Sequence, residues 1–174
     1  MKNLALFLIL VLISLETQGQ NINQVIIDPD LDRKILLGQV DESGLTNPIF
    51  VENWQGSYDI YVPDKVVTKK LKKLFKKDKD LSVMVFLASW CGDSKEHLPD
   101  FVKLAHKIKL KNVSYFALNR KKIMPEMDEI KFRIERVPTF IVYQGDQEIG
   151  RIIETPEVSL EKDLLQIVEN AKHP

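Results

Sequence analysis

The stretch Leu-Ser-Val-Met-Val-Phe-Leu-Ala-Ser-Trp-Cys at residues 81–91 constrains this chain more than any other. From Leu81 to Ala88 it is apolar almost throughout and does not alternate with polar residues. That is the pattern of a strand covered on both faces. Past Cys91 the periodicity changes. Leu98, Phe101, Val102, Ala105 and Ile108 trace the buried side of a helix. A doubly covered strand running directly into an amphipathic helix requires layers on both sides of a sheet, so the chain is read as α/β.

The remaining pattern agrees. Val67, Leu71, Leu74 and Phe75 share one helical face, and eight lysines between Lys65 and Lys79 occupy most of the rest. Those lysines read as a solvated helix face; a basic patch for an anionic partner is the alternative. Asn112 to Leu118 is a strand candidate, and Met127 to Phe132 a short helix. Thr139 to Tyr143 is a further strand, turning at Gln144-Gly145-Asp146 into another at Glu148 to Ile153. Ser159 is placed as the N-cap of a last helix whose inner stripe is Leu160, Leu164, Ile167 and Val168. The order is helix, strand, helix, strand, helix, hairpin, helix. It describes a mixed central sheet with helices on both faces.

The first part of the chain reads differently. Lys2, an apolar run from Leu4 to Leu15, and small residues at Thr17 and Gly19 follow the order of a secretory signal peptide over residues 1–19, cut before Gln20. An uncleaved anchor is the alternative, but the run falls well short of the roughly 20 residues that span a bilayer. The expectation is an exported protein, secreted or periplasmic, with no stable membrane anchor after cleavage. Residues 20–63 read as a loop-rich extension with turns at Asp28-Pro29-Asp30, Ser43-Gly44, Asn47-Pro48 and Gln55-Gly56-Ser57. Leu31 to Val40 is assigned a short helix, and Trp54, Tyr58 and Tyr61 are expected to pack the extension onto a main domain at 64–174. Acidic and basic residues balance at 25 each, so no overall field favours nucleic acid or a membrane surface.

Three motifs in this order carry a family resemblance. They are Trp90-Cys91-Gly92-Asp93-Ser94 directly after a strand, Pro99 eight residues beyond the cysteine, and Val137-Pro138-Thr139 before the apolar run Phe140-Ile141-Val142-Tyr143. Over residues 64–170 the chain resembles the thioredoxin superfamily, and within it exported bacterial thioredoxin-like proteins bearing Trp-Cys-Gly-Asp-Ser. The resemblance implies a thioredoxin fold, a cis bond before Pro138 facing Cys91, and a substrate groove formed by Trp90, Gly92, Asp93, Val137, Pro138 and Thr139. It places Glu154 near a glycine that lines this groove in relatives. A carboxylate there alters substrate choice or accepts protons; a surface glutamate at the end of the last strand is the plainer reading.

Departures from the family pattern are as informative. Cys91 is the only cysteine in the chain. Ser94 stands where relatives carry the second, resolving thiol. Val85 and Ala117 stand where the resemblance implies a buried aspartate and its lysine partner, so the relay that serves a second cysteine is lost with it. At a helix start, unpaired backbone N–H groups favour a thiolate, the nucleophilic form. Asp93 opposes this by like charge unless its carboxylate accepts first-turn N–H groups. Ser94 is assigned either a hydrogen bond to the Cys91 thiolate or a helix-start role only. His97 and His106 are read as solvated histidines, because Cys91, Asp93 and His97 lack tetrahedral ligand spacing.

These readings converge on monothiol thiol–disulfide exchange through Cys91, assisted by Ser94, with an external thiol resolving the mixed disulfide. Partners are protein or small-molecule thiols and disulfides; no metal or organic cofactor is called for. Two alternatives remain open. One is a redox-inactive module that binds an extended peptide beside Pro138, and the other is a dimer bridged through Cys91.

Overall fold

The structure, a computed structural model, describes residues 22–125 and 127–171. The expected signal segment therefore lies outside the described residues. Twelve elements follow one another: β1 Gln24–Asp28, β2 Arg33–Val40, α1 Glu42–Leu45, α2 Trp54–Ile60, α3 Lys65–Lys77, β3 Leu81–Leu87, α4 Gly92–Ile108, β4 Val113–Ala117, α5 Glu129–Phe132, β5 Thr139–Gln144, β6 Gln147–Ile153 and α6 Leu160–Asn170. The strands form one six-stranded mixed sheet in the order β1-β2-β4-β3-β5-β6. Only β3 and β4 run parallel; the other neighbouring pairs are antiparallel. The fold is the mixed α/β architecture expected, with α4 following β3 directly.

Alternation along β3 explains its unbroken apolarity. Val83, Val85 and Leu87 enter the larger core with Leu98, Phe101 and Val102 of α4 and Leu164 and Val168 of α6. Phe86 and Ala88 enter a second cluster with Leu118, Val137 and Ile141. The two faces are covered unequally. The first carries residues from α3, α4 and α6, whereas the second is covered by the short α5 and by loop residues such as Met124 and Ile134. Phe132 of α5 tilts against Phe86 with ring centroids 5.0 Å apart. On the first face, β6 approaches α6 so closely that a Cβ on Gly150 would lie 2.8 Å from the Ile167 side chain.

The expectation of a helix over Leu31 to Val40 is corrected. Residues 33–40 form β2, pairing with β1 on one side and β4 on the other. Gly38 lies at φ +85°, outside the helical region. Pairing decides the outcome. Without β2, the edge of β4 would expose its ladder groups, and partnering that edge outweighs the weak helical preference of a leucine-containing segment. The Asp28-Pro29-Asp30 turn then becomes the turn of the β1–β2 hairpin.

The segment before α3 shares the main core. Leu36, Val40, Leu45, Phe50 and Trp54 are buried in the same cluster as the β3 and α4 side chains. Polar contacts add to this. The Tyr61 hydroxyl donates to Glu161 Oε2 at 2.6 Å, and the Asp64 amide to Glu161 Oε1 at 3.1 Å. His106 is exposed, as expected of a solvated histidine, and on the surface lies 2.8 Å from Glu42 and 2.9 Å from the Tyr58 hydroxyl, joining α1, α2 and α4. Ser159 occupies the N-cap position of α6 as expected, but its side chain makes no capping bond.

Two carboxyl groups near this junction respond oppositely to their surroundings. Burial pushes Glu161 up, but hydrogen bonds from Tyr61 and the Asp64 amide outweigh it and hold the carboxyl below its ordinary value. Asp100 on α4 is pushed up to about 6, first by burial, then by Glu96 and Glu161, against the opposing effect of Lys103. A carboxyl raised in the folded state favours folding fully below its unfolded value and loses that contribution as pH climbs through the folded one. Asp100→Asn is therefore expected to unfold in urea with about 1–2 kcal/mol more stability than the parent at neutral pH, after allowance for solvent screening. The gain should vanish near pH 4, and a gain independent of pH would contradict the assignment.

Candidate active site

The site is assembled where β3 gives way to α4. Cys91 is the N-cap residue of α4 and has an extended backbone conformation. Two bonds pin the connecting turn. The Cys91 amide donates to the Ala88 carbonyl at 3.0 Å, and the Ala88 amide donates to Ser94 Oγ at 3.2 Å. Ser94 is fully buried. Its oxygen therefore anchors the turn as an acceptor. The placement also explains why serine is accommodated here, because a buried amide requires an acceptor.

The thiol itself is half-buried. Cys91 Sγ donates to the Val137 carbonyl at 3.1 Å, and Asp93 Oδ2 lies 4.0 Å away. The Val137–Pro138 bond is cis, so the thiol and the proline-containing turn sit against each other although 46 residues separate Cys91 from Val137. Trp90 Nε1 donates to the Leu118 carbonyl at 3.0 Å, which fixes the indole against the segment that follows β4. Gly92 is exposed, and a Cβ there would meet nothing within 4 Å. The rim of the site is accordingly open at Gly92 and Asp93.

The opposite wall is built from the start of β5 and the end of β6. Val137, Pro138 and Thr139 are buried, and Thr139 Oγ1 donates to the Arg136 carbonyl at 2.7 Å. Glu154 adopts φ 56°. Its amide donates to the Pro138 carbonyl at 2.7 Å, and its carboxylate pairs with Arg136 at 2.7 Å. Glu154 is thus at the proline turn through its backbone, with its side chain engaged by Arg136. A wide concavity of about 890 Å³ continues from Arg136 and Thr139 along β6 past Gly150 and Arg151.

Val85 and Ala117 are wholly buried in the apolar core, so these two positions supply no proton relay beneath the site. His97 is not brought into a cluster with Cys91 and Asp93: among the described residues no group of three His, Cys, Asp or Glu side chains has metal-ligating geometry. Three residues near the site escaped the sequence reading: Asp28, Arg33 and Arg120. Arg33 Nη2 donates to the Trp90 carbonyl at 3.2 Å across 57 positions of sequence. Only the Asp-Pro-Asp turn hinted at the contact, and a turn does not reveal what its side chains reach.

A lone thiol at a strand-to-helix junction, set against an X–Pro turn on a mixed sheet, defines a thioredoxin-fold protein with a single-cysteine site. Comparison with known sequences agrees: the family model described as Thioredoxin matches residues 62–168. The chain belongs to the thioredoxin family. It is 30% identical over 107 residues to Thioredoxin H2-1 of Oryza sativa subsp. japonica, a match covering 60% of this chain and 73% of the relative. It is 28% identical over 88 residues to Thioredoxin-like protein R548 of Acanthamoeba polyphaga mimivirus, covering 51% of this chain and 63% of the relative. The chain thus spans somewhat less than two thirds of the viral protein. Among solved structures, Fasciola hepatica thioredoxin aligns with a TM-score of 0.40 and 22% identity, over 59% of this chain and 91% of that one.

The anchoring role of Ser94 has a measurable consequence. Ser94→Ala leaves the Ala88 amide without its acceptor in a buried turn. It is expected to lower unfolding stability by about 1–3 kcal/mol, while Ser94→Thr, if its methyl is accommodated, retains more of it. Equal stability of Ser94→Ala and parent in denaturant titration would remove the anchoring role.

Proposed function

We propose that this protein is an exported monothiol thiol–disulfide exchange protein. The observation that carries the reading is the environment of Cys91: a half-buried sulfur held at the Val137 carbonyl, with a serine oxygen accepting from the Ala88 amide in a chain that has no second cysteine. The Cys91 thiolate attacks one sulfur of a substrate disulfide. A new S–S bond forms at Cys91, the substrate S–S bond breaks, and the departing sulfur leaves as a thiolate that takes up a proton. An external thiol then attacks the mixed disulfide and restores Cys91. Electrons balance over the two exchanges, and no cofactor enters. The names of the plant and viral relatives support thiol–disulfide chemistry as the class of reaction. The cycle suits disulfide isomerisation, shuffling or removal of a small-thiol adduct from a protein.

The signal-like segment 1–19 supports export to a secreted or periplasmic location. Among the described residues no helix is long and apolar enough to cross a membrane. A mature chain beginning at Gln20, read by mass spectrometry of the protein recovered from a host envelope or medium, is the expected result. Recovery with residues 1–19 intact would count against export by cleavage.

One observation favours a second reading. Val85 and Ala117 are sealed in apolar core, so the protein has kept the fold without the relay, as a peptide-binding module would. The two readings part on a single experiment. Incubated with a mixed-disulfide substrate, the parent is expected to hold a Cys91 adduct that persists until a small thiol is added. Turnover should then follow, and Cys91→Ala should give none. Equal turnover by parent and Cys91→Ala would eliminate the exchange reading, and a Cys91 inert to disulfides would favour the binding module.

A further inference from the structure

The β1–β2 hairpin lies outside residues 62–168 that match the family, yet it reaches Trp90, the residue before the thiol. Asp28, the last residue of β1, is only 1% exposed. Its Oδ1 accepts from the Asp30 and Leu31 amides at 2.8 and 3.1 Å, and its Oδ2 accepts from the Arg120 amide at 3.1 Å. One buried carboxylate thereby ties the hairpin turn to the segment that follows β4. Two arginines are positioned as a result. The Arg120 guanidinium lies over the Trp90 ring, 4.7 Å from its centroid. Arg33, the first residue of β2, donates to the Trp90 carbonyl. Trp90 directly precedes Cys91, so both exposed guanidinium groups are anchored on the residue next to the one that carries the attacking sulfur.

Their donors are not consumed by protein carboxylates. Among the described residues neither Arg33 nor Arg120 forms an ion pair. Asp30 pairs with Lys121 at 3.7 Å and Glu154 with Arg136 at 2.7 Å. Among the described residues, Asp93, beside Cys91, and Asp32, in the hairpin turn, also form no ion pair with the two arginines. A guanidinium offers five N–H donors in a fork that matches a carboxylate. Arg33 donates through one nitrogen to Trp90, and Arg120 rests on the indole through its face. Donors remain for a ligand at both.

We infer that Arg33 and Arg120 select disulfides bearing a carboxylate beside the sulfur that Cys91 attacks. The inference rests on the exchange reading above and names its substrate class. The shared chemistry is a carboxylate next to a disulfide, whether in a small thiol conjugate or in an acidic peptide. The bonds exchanged are those already given; the carboxylate is held, not transformed. These arginines are positioning residues for the substrate.

The test compares rates of Cys91 modification by the dianionic reagent dithiobis-nitrobenzoate and the uncharged reagent dithiodipyridine. The readout is the ratio of the two rates, which cancels any change in the thiol itself. Replacing both arginines by glutamine is expected to lower the anionic-to-uncharged ratio about fivefold or more at low salt. The loss should shrink in about 1 M salt, where charges beyond roughly 3 Å are screened. Lysine at both positions should keep most of the ratio, which a purely structural role would not. A cysteine peptide flanked by glutamates and activated as its thiopyridine disulfide forms a second arm. A preference over its glutamine counterpart that depends on the arginines assigns the site to peptides, and a preference confined to the small reagent assigns it to small conjugates. A ratio unchanged by the glutamine substitutions, or equal in the glutamine and lysine variants, overturns the selection and leaves exchange standing. If the parent reacts with neither reagent, the exchange reading falls too.

Discussion

β3 is buried on both faces, and the consequences of that burial reach every part of the site. Its side chains are shared between the core beneath α4 and α6 and the smaller cluster under α5. A strand held in this way cannot drift without exposing apolar surface on one side or the other, at about 25 cal/mol for each Å² uncovered. Its end point is consequently fixed, and Cys91 is delivered to one place. The Ala88 carbonyl and amide then fasten the turn to Cys91 and to Ser94. The sulfur meets the Val137 carbonyl because β5, which pairs with β3 antiparallel from Leu81 to Phe86, begins where β3 ends. Geometry that looks local to the thiol is set by the register of the two central strands.

The same logic accounts for Ser94. In a turn this tightly buried, position 94 has a structural duty apart from chemistry: it must accept the Ala88 N–H. A serine oxygen does so at 3.2 Å. The apolar Val85 and Ala117 lie within the same sealed core, where an unpaired charge would be costly. Once no second thiol has to be deprotonated, a buried charge there has no return. Measured against the family resemblance, Ser94, Val85 and Ala117 are mutually consistent departures, all buried in this structure.

Legibility in the sequence followed the range of the interactions. Strand β3, helix α4 and the β5–β6 hairpin were readable because their periodicities report local burial, and Trp90-Cys91-Gly92 and Val137-Pro138-Thr139 were readable as motifs. The meeting of Cys91 and Val137 came only with the family resemblance, since neither residue encodes the other. Residues 31–40 misled because a leucine-containing segment does not declare whether an open strand edge awaits it. The surface partners of exposed His106 were not readable either, since Glu42 and Tyr58 lie 64 and 48 positions away. Arg33 and Arg120 were invisible for the same reason, since an exposed arginine carries no sequence signal of the aromatic ring or carbonyl that fixes it.

The hairpin places a condition on how the site works. In a protein with two thiols, the mixed disulfide is short-lived because the second thiol is always at hand. On the proposed one-thiol cycle, the bound partner would stay until another molecule arrives, so contacts made by the partner would persist through the slow part of the cycle. Groups around the sulfur therefore matter in two ways. On that proposal they would favour capture of one class of disulfide and would remain engaged with the captured fragment while the resolving thiol approaches. Arg33 and Arg120 are suited to the first task by their open donors, and Gly92 keeps one side of the rim uncrowded for the second. Asp93, 4.0 Å from the sulfur, lies on that open side. Its carboxylate disfavours an incoming thiolate that carries further negative charge. A site that draws carboxylates past Trp90 while discouraging them at Asp93 would separate the captured partner from the thiol that releases it, although both react at one sulfur.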